Sequence, residues 1–240
     1  MILIPAVDLR EGACVQLEGG SYDRERVRLD DPLEAVRHWS QLGFHRLHLV
    51  DLDAATGRGS NAATVAEVLT LARTLGVHVQ VGGGVRDMET IERLIAAGAS
   101  LVVVGTRGLE DPEWLEAMCA RYPERLILAA DVSGDRIATR GWSHRLAQDA
   151  AEVAAAVDRL PLAALLVTAV HREGRLAGPD LGLMDAVVGA TRLPVIASGG
   201  IATLDHLRSL AVRRIGAAVV GMALYIGTLD ACAAREEFAT

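Results

Sequence analysis

The sequence predicts a (β/α)8 barrel, and three observations carry the prediction. Apolar runs of strand length alternate with helix-period segments along all 240 residues, the pattern of a parallel sheet covered by helices. Runs that end in glycine recur at half the chain's length: Gly84 and Gly200 lie 116 positions apart, as do Gly105 and Gly221. Aspartates also stand at matching strand ends in the two halves, Asp8 and Asp131. A doubly wound open sheet is the competing fold, but such sheets usually have fewer units. With no Pro/Ser-rich linker, charge block or low-complexity tract, residues 1–240 read as one barrel domain.

Taken in order, Ile2–Val7 is a first buried strand ending at Asp8. A long segment from Leu9 to Asp31 follows, in which Ala13–Leu17 forms a short extra strand. A loop of that length in a compact domain is usually functional. Asp31 as N-cap, Pro32 at the first helical position and Gly43 as stop frame a helix over Pro32–Leu42. Leu47–Asp51 is the second strand and Asn61–Leu75 the second helix, closed by Gly76. Val77–Val81 then precedes a helix over Met88–Ala97, capped by Asp87 and ended by Gly98. Leu101–Val104 precedes a helix over Pro112–Tyr122 capped by Asp111, which completes four units in just under half the chain.

The second half repeats the series. Leu126–Ala130 ends at Asp131 and runs into a hairpin extension over Ser133–Trp142, followed by a helix over Leu146–Arg159. Ala164–Thr168 is strand six, so Thr168 holds the place that Asp51 holds in the first half. A polar loop, His171–Asp180, leads to helix six. The strand ending in Ser198, a helix near Leu204–Leu210, the strand Ala217–Val220 and a helix near Thr228–Arg235 finish the count.

Composition excludes several functions. The net charge of −7 with no basic cluster argues against nucleic-acid or membrane-surface binding. No transmembrane run or signal peptide is recognisable, so a cytoplasmic location is expected. Cys14, Cys119 and Cys232 make neither a disulfide framework nor a zinc spacing. His45 and His48, three apart on a strand, point to opposite faces and do not suit a metal. All 24 basic residues are arginine. Without a lysine amine, Schiff-base aldolase chemistry and pyridoxal-phosphate attachment are excluded.

The strand ends carry the candidate chemistry. Glycines where a strand turns into a helix let backbone N–H groups converge on an anion. One such turn alone needs no ligand, but two pairs in register imply two phosphates. Gly83, Gly84 and Gly105 would hold one, and Ser198, Gly199, Gly200 and Gly221 the other, with Arg86 offering a bidentate contact. Asp8 and Asp131 would face each other across the mouth, Thr168 beside Asp131, which suits paired acid–base work on a sugar phosphate. Trp142 could stack on a flat ring.

With these residues placed, the sequence resembles the histidine-biosynthesis isomerases that act on phosphoribosylformimino-aminoimidazole carboxamide ribotide. The resemblance spans nearly the whole chain: Ile4–Leu9, His48–Leu52, Val79–Arg86, Ala130–Asp131 with Gly141–Trp142, Gly174–Pro179 and Ala197–Ile201. It implies a cofactor-free Amadori rearrangement of an aminoaldose carrying a phosphate at each end. By the family's pattern Asp8 is the base at the sugar carbon next to the aldimine carbon, and Asp131 is the acid that opens the ring, assisted by Thr168. Gly20, His48, Thr106 and Met222 complete the binding candidates, and a monomer is expected.

Two features depart from that pattern. Ala169 stands where the family usually has an acidic residue, and Glu173-Gly174-Arg175 stands where it usually has Asp-Gly-Thr. Asp51–Asn61 also resembles bifunctional relatives that isomerise phosphoribosyl anthranilate, whereas Gly20–Tyr22 looks more like the single-substrate enzyme. Rival readings are the pathway's ammonia-dependent cyclase, whose first strand and loop carry a lysine, and a non-catalytic sugar-phosphate-binding barrel.

Overall fold

A computed structural model describes residues 1–238. Eight parallel strands form the wall: β1 (Ile2–Arg10), β2 (Arg46–Asp51), β3 (His78–Gly82), β4 (Leu101–Val104), β5 (Leu126–Ser133), β6 (Ala164–Ala169), β7 (Val195–Ser198) and β8 (Ala217–Val220). Each pairs with the next, and β8 returns to β1 through Ile2↔Ala217 to Pro5↔Val220, so the sheet closes. This is the expected (β/α)8 barrel.

The covering helices are α1 (Pro32–Gln41), α2 (Ala62–Thr74), α3 (Met88–Ala97), α4 (Pro112–Arg121), α5 (Ala150–Val157), α6 (Leu181–Ala190), α7 (Leu204–Ala211) and α8 (Ala231–Phe238). Asp31, Asp87, Asp111 and Asp180 accept from first-turn amides at the starts of α1, α3, α4 and α6. These bonds satisfy donors that the helix itself cannot. None of the helices among the described residues is long and apolar enough to cross a membrane.

Strand alternation divides the core in two. Outward residues such as Leu47, Val81, Val102, Leu126, Val167 and Ala218 pack beneath the helices. Inward residues Ile4, Val103, Ile127, Leu166, Ile196 and Val219 fill the barrel as a separate cluster. The interior is therefore packed, and its upper layer is free to be polar.

Several boundaries differ from the sequence reading. β1 continues past Asp8 to Arg10, and β5 past Asp131 to Ser133, because each strand is extended by an antiparallel partner. Ala13–Leu17 pairs with β1 at Asp8↔Val15, and Arg136–Thr139 pairs with β5 at Asp131↔Ala138. The Ala13–Leu17 strand has its own partner, Glu25–Leu29, where a loop was expected. Helix α5 begins four residues later than predicted, since Asp149 and Glu152 form a reciprocal capping box. Helix α8 starts at Ala231 rather than near Thr228. Short helices at Leu52–Thr56, Thr106–Glu110 and Met222–Tyr225 were not anticipated. They are too brief to show helical periodicity in sequence.

Candidate active site

At the C-terminal end of the barrel a cavity of about 310 Å³ opens between the loops. Its wall includes every catalytic and binding candidate from sequence: the acid–base candidates Asp8, Asp131 and Thr168 together with all the glycine-turn and binding candidates. β1 and β5 lie opposite one another in the eight-strand ring, so Asp8 and Asp131 approach the cavity from opposite walls. Thr168 is the register partner of Asp131 on β6, and its hydroxyl favours the ionised form of that carboxyl.

The glycine turns repeat in backbone conformation as well as in sequence. Gly83 and Gly84 have φ of 100° and 69°, and Gly199 and Gly200 have 97° and 78°. Gly105 and Gly221 share φ of −107°, with ψ of −112° and −96°. The positive φ values favour glycine, and close approach requires it. A Cβ on Gly84 would lie 2.7 Å from the Ala54 Cβ, and one on Gly199 would lie 2.7 Å from the Ala169 carbonyl oxygen. Each turn is thus seated on the end of the preceding strand or the loop just after it. Both turns present main chain to the cavity, where backbone amides can meet an anion.

Arg86 is exposed at the rim, and its Nη2 donates to the carbonyls of Ala54 and Ala55 at 3.1 and 3.3 Å. His48 and Gln80 project inward from neighbouring strands, and Gln80 Nε2 donates to His48 Nδ1 at 2.8 Å. Burial holds His48 down at about 4, so the ring is neutral near pH 7. With Nδ1 accepting, the proton resides on Nε2, which leaves a neutral donor on the cavity wall.

Trp142 does more than offer a flat face. Its Nε1 donates to Asp131 Oδ2 at 2.7 Å. Its six-membered ring lies so close to Gly20 that no side chain fits there. The hairpin carrying Trp142 is fastened by Arg140, whose guanidinium binds both oxygens of Glu110 at 3.0 and 2.9 Å and whose amide donates to Thr106 Oγ1 at 2.9 Å.

One comparison decides the family: the model described as "Histidine biosynthesis protein" matches residues 2–230. The chain belongs to that family. A curated relative from Myxococcus xanthus, named 1-(5-phosphoribosyl)-5-((5-phosphoribosylamino)methylideneamino)imidazole-4-carboxamide isomerase, is 52% identical over 239 residues, covering 100% of both chains. The relative of that name from Gemmatimonas aurantiaca is 54% identical over 238 residues, covering 99% of each. That from Deinococcus radiodurans is 43% identical over 228 residues, covering 95% of this chain and 94% of its own.

In this member of the histidine biosynthesis family a third carboxylate, Glu173, reaches the cavity from the loop after β6. Burial raises Asp8 to about 7, with the charge of Glu173 adding to the shift. Burial likewise raises Glu173 to about 7, with the charge of Asp131 adding. Asp131 is raised by burial and held back by its hydrogen bonds from Trp142 and Thr168. Asp8 and Glu173 therefore hold and release protons around neutrality, and the charge of Asp131 is coupled to Glu173. The sequence reading noted Glu173 only as a departure in loop six and gave it no role, because a glutamate in a polar loop looks like any solvated charge. The available signal was its place before Gly174, where the family usually has aspartate.

Gln16 was also missed. It is buried on the Ala13–Leu17 strand, lines the cavity and packs against Gly221. Loops one and six meet through Gly19 N–H, which donates to the Glu173 carbonyl at 3.0 Å.

Proposed function

We propose that this chain is the histidine-biosynthesis isomerase that converts the bisphosphorylated aminoaldose to its phosphoribulosyl aminoketose by an Amadori rearrangement, the whole chain acting as one barrel domain. The observation that carries the reading is the pairing of opposed carboxylates, Asp8 and Asp131, with two glycine turns of matching backbone. The curated relatives of that activity, matched along their full length, support the same substrate.

In this reading Gly83, Gly84 and Gly105 hold one phosphate, and Ser198, Gly199, Gly200 and Gly221 the other. Arg86, Thr106 and Met222 flank the turns, and Gly20 and His48 line the space between. With both ends fixed, the ribose lies between the carboxylates, which converts the chemistry into an intramolecular problem of orientation. Asp131 gives its proton to the ring oxygen as the bond from that oxygen to C1′ breaks. The amino nitrogen's lone pair forms the C1′=N bond. Asp8 then removes the proton from C2′, leaving an enolamine that tautomerises to the C2′ ketone as C1′ gains a proton. The charge of Glu173 helps keep Asp8 partly protonated near neutral pH, and burial favours the protonated form of Asp131. The steps draw only on protons held by the chain and need no added cofactor.

The test is steady-state turnover of the purified protein, with chelator present, on the histidine-pathway aminoaldose and on phosphoribosyl anthranilate. Turnover of the first alone is expected. Comparable turnover of both would replace the single-substrate reading with a bifunctional one. Activity on neither would leave a sugar-phosphate-binding barrel.

A further inference from the structure

The stretch Asp51–Asn61 was singled out in sequence, yet none of its side chains reacts in the proposed chemistry. Its centre is Asn61, 6% exposed and positioned just before α2. A residue in that position usually caps the helix with its side chain. Asn61 does not. Its backbone N–H donates to Asp51 Oδ2 at 2.7 Å, and its Nδ2 donates to Asp51 Oδ1 at 2.8 Å and to Asp53 Oδ2 at 2.9 Å. Its Oδ1 accepts from Gly12 N–H at 2.8 Å, while Asp53 Oδ2 also accepts from Glu11 N–H at 2.7 Å. Asp51 and Asp53 are themselves 5% and 7% exposed. No arginine or histidine is paired with either among the described residues. The Asn61 amide is the side-chain donor that joins two buried carboxylates, so its loss leaves both short of a partner.

The hub reaches the reaction centre from two directions. Glu11 and Gly12 follow directly on β1, which carries Asp8, and they open the hairpin whose Val15 is the register partner of Asp8. On the other side, Asp51 and Ala54 form the seat of the first glycine turn: a Cβ on Gly83 would come within 2.7 Å of the Asp51 backbone nitrogen. Asp51 Oδ1 fixes that seat by accepting from Ala54 N–H at 3.0 Å. Among the described residues, no amide side chain joins two buried carboxylates beneath the second turn. Its seat is held by main chain, through Gly178 N–H to the Gly200 carbonyl at 2.9 Å, and by Arg172 Nη1 to the Ala177 carbonyl at 3.1 Å. Two turns of like backbone thus have unlike supports.

We propose that Asn61 is a positioning residue that fixes the first anion turn relative to Asp8, making that half of the site rigid while the second turn follows the loop bearing Glu173. The proposal rests on the isomerase reading for its kinetic arm. Asn61→Ala should lower kcat about tenfold or more while KM changes less than threefold, because a misplaced reacting geometry costs rate more than binding. Val68→Ala, a buried α2 change away from the site, serves as a control that lowers Tm without changing either constant. Asp53→Ala severs the link to Glu11 but keeps Asn61 on Asp51, and it should shift kcat in the same direction by less. That variant decides the matter if Asn61→Ala does not fold.

Backbone hydrogen exchange on Asn61→Ala supplies an arm independent of turnover. Faster exchange at both Glu11–Gly12 and Gly83–Val85 is expected. An unaltered kcat with a lowered Tm, or faster exchange confined to Glu11–Gly12, would overturn the proposal. Wild-type protein inactive on the aminoaldose would instead overturn the functional reading, with the exchange result still deciding the coupling.

Discussion

Asp8 occupies a costly place for a carboxylate, since burial and the charge of Glu173 lift it from 3.8 to about 7. The sign of the consequence for stability follows from linkage. A carboxyl raised on folding binds its proton more tightly in the native state, so its protonated form contributes stability below about pH 4. That contribution is lost as pH rises from about 4 through 7. Asp8→Asn, neutral throughout, should therefore raise Tm at pH 8 by about 2–6 °C relative to wild type and have little effect near pH 4. The same change removes the proposed base, so kcat should fall on the order of a hundredfold or more, as it should for Asp131→Asn. Full activity in either variant would defeat the acid–base assignment. Trp142 gives a finer test of which aspartate is the acid. Trp142→Phe deletes a donor that favours ionised Asp131, so the pKa of Asp131 rises. If Asp131 is the acid, the falling alkaline limb of the pH–rate profile moves to higher pH; movement of the rising acid limb would make Asp131 the base. None of this environment was legible in sequence. Asp8 and Asp131 could be found from their strand-end positions, but burial, the nearby Glu173 and the indole donor arise from loops meeting across the mouth.

The secondary-structure elements divide by how local their determinants are. Helix α3 matches its sequence prediction at both ends, because Asp87 and Gly98 encode start and stop within the segment itself. The start of α5 was misplaced because apolar periodicity continues upstream of Asp149, while the Gln148 carbonyl is taken by Ile137 N–H of the hairpin extension. A long-range bond overrode a local pattern. The glycine turns fall in the first class, and their demands are strict at element scale. Gly83→Ala and Gly199→Ala each force a side chain into positive φ and into the backbone at the end of the preceding strand. Each should cost roughly 2 kcal/mol or more. Each should also disturb one anion turn, raising KM for the bisphosphorylated substrate about tenfold, measured against substrate lacking the corresponding phosphate. An effect on Tm with KM unchanged would mean that the turns shape the loops without holding phosphate.

At the scale of the whole molecule, alternation within each strand separates stability from chemistry. Inward positions low in the barrel are apolar, and inward positions at the C-terminal ends carry Asp8, Asp131 and Thr168. That separation was visible in sequence as apolar runs ending in polar or glycine residues, and the half-chain repeat supplied the count of eight. The register of the closing contact between β1 and β8 was not visible, because pairing partners across nearly the whole chain leave no local mark. The separation makes a prediction about a residue on the lower side of the boundary. Ile127 is completely buried in the inner cluster and lies outside the cavity wall. Ile127→Ala leaves a void among side chains contributed by several strands, and the closed barrel has little freedom to collapse onto it. The loss should be about 2–5 kcal/mol, and Tm should fall by roughly 4–15 °C for a chain of this size. At 25 °C kcat and KM should remain at wild-type values, since the strand ends are set by the ring of hydrogen bonds and by loop contacts above the void. A fall in kcat that matches the fall in stability would show that packing deep in the barrel also sets the distance between Asp8 and Asp131.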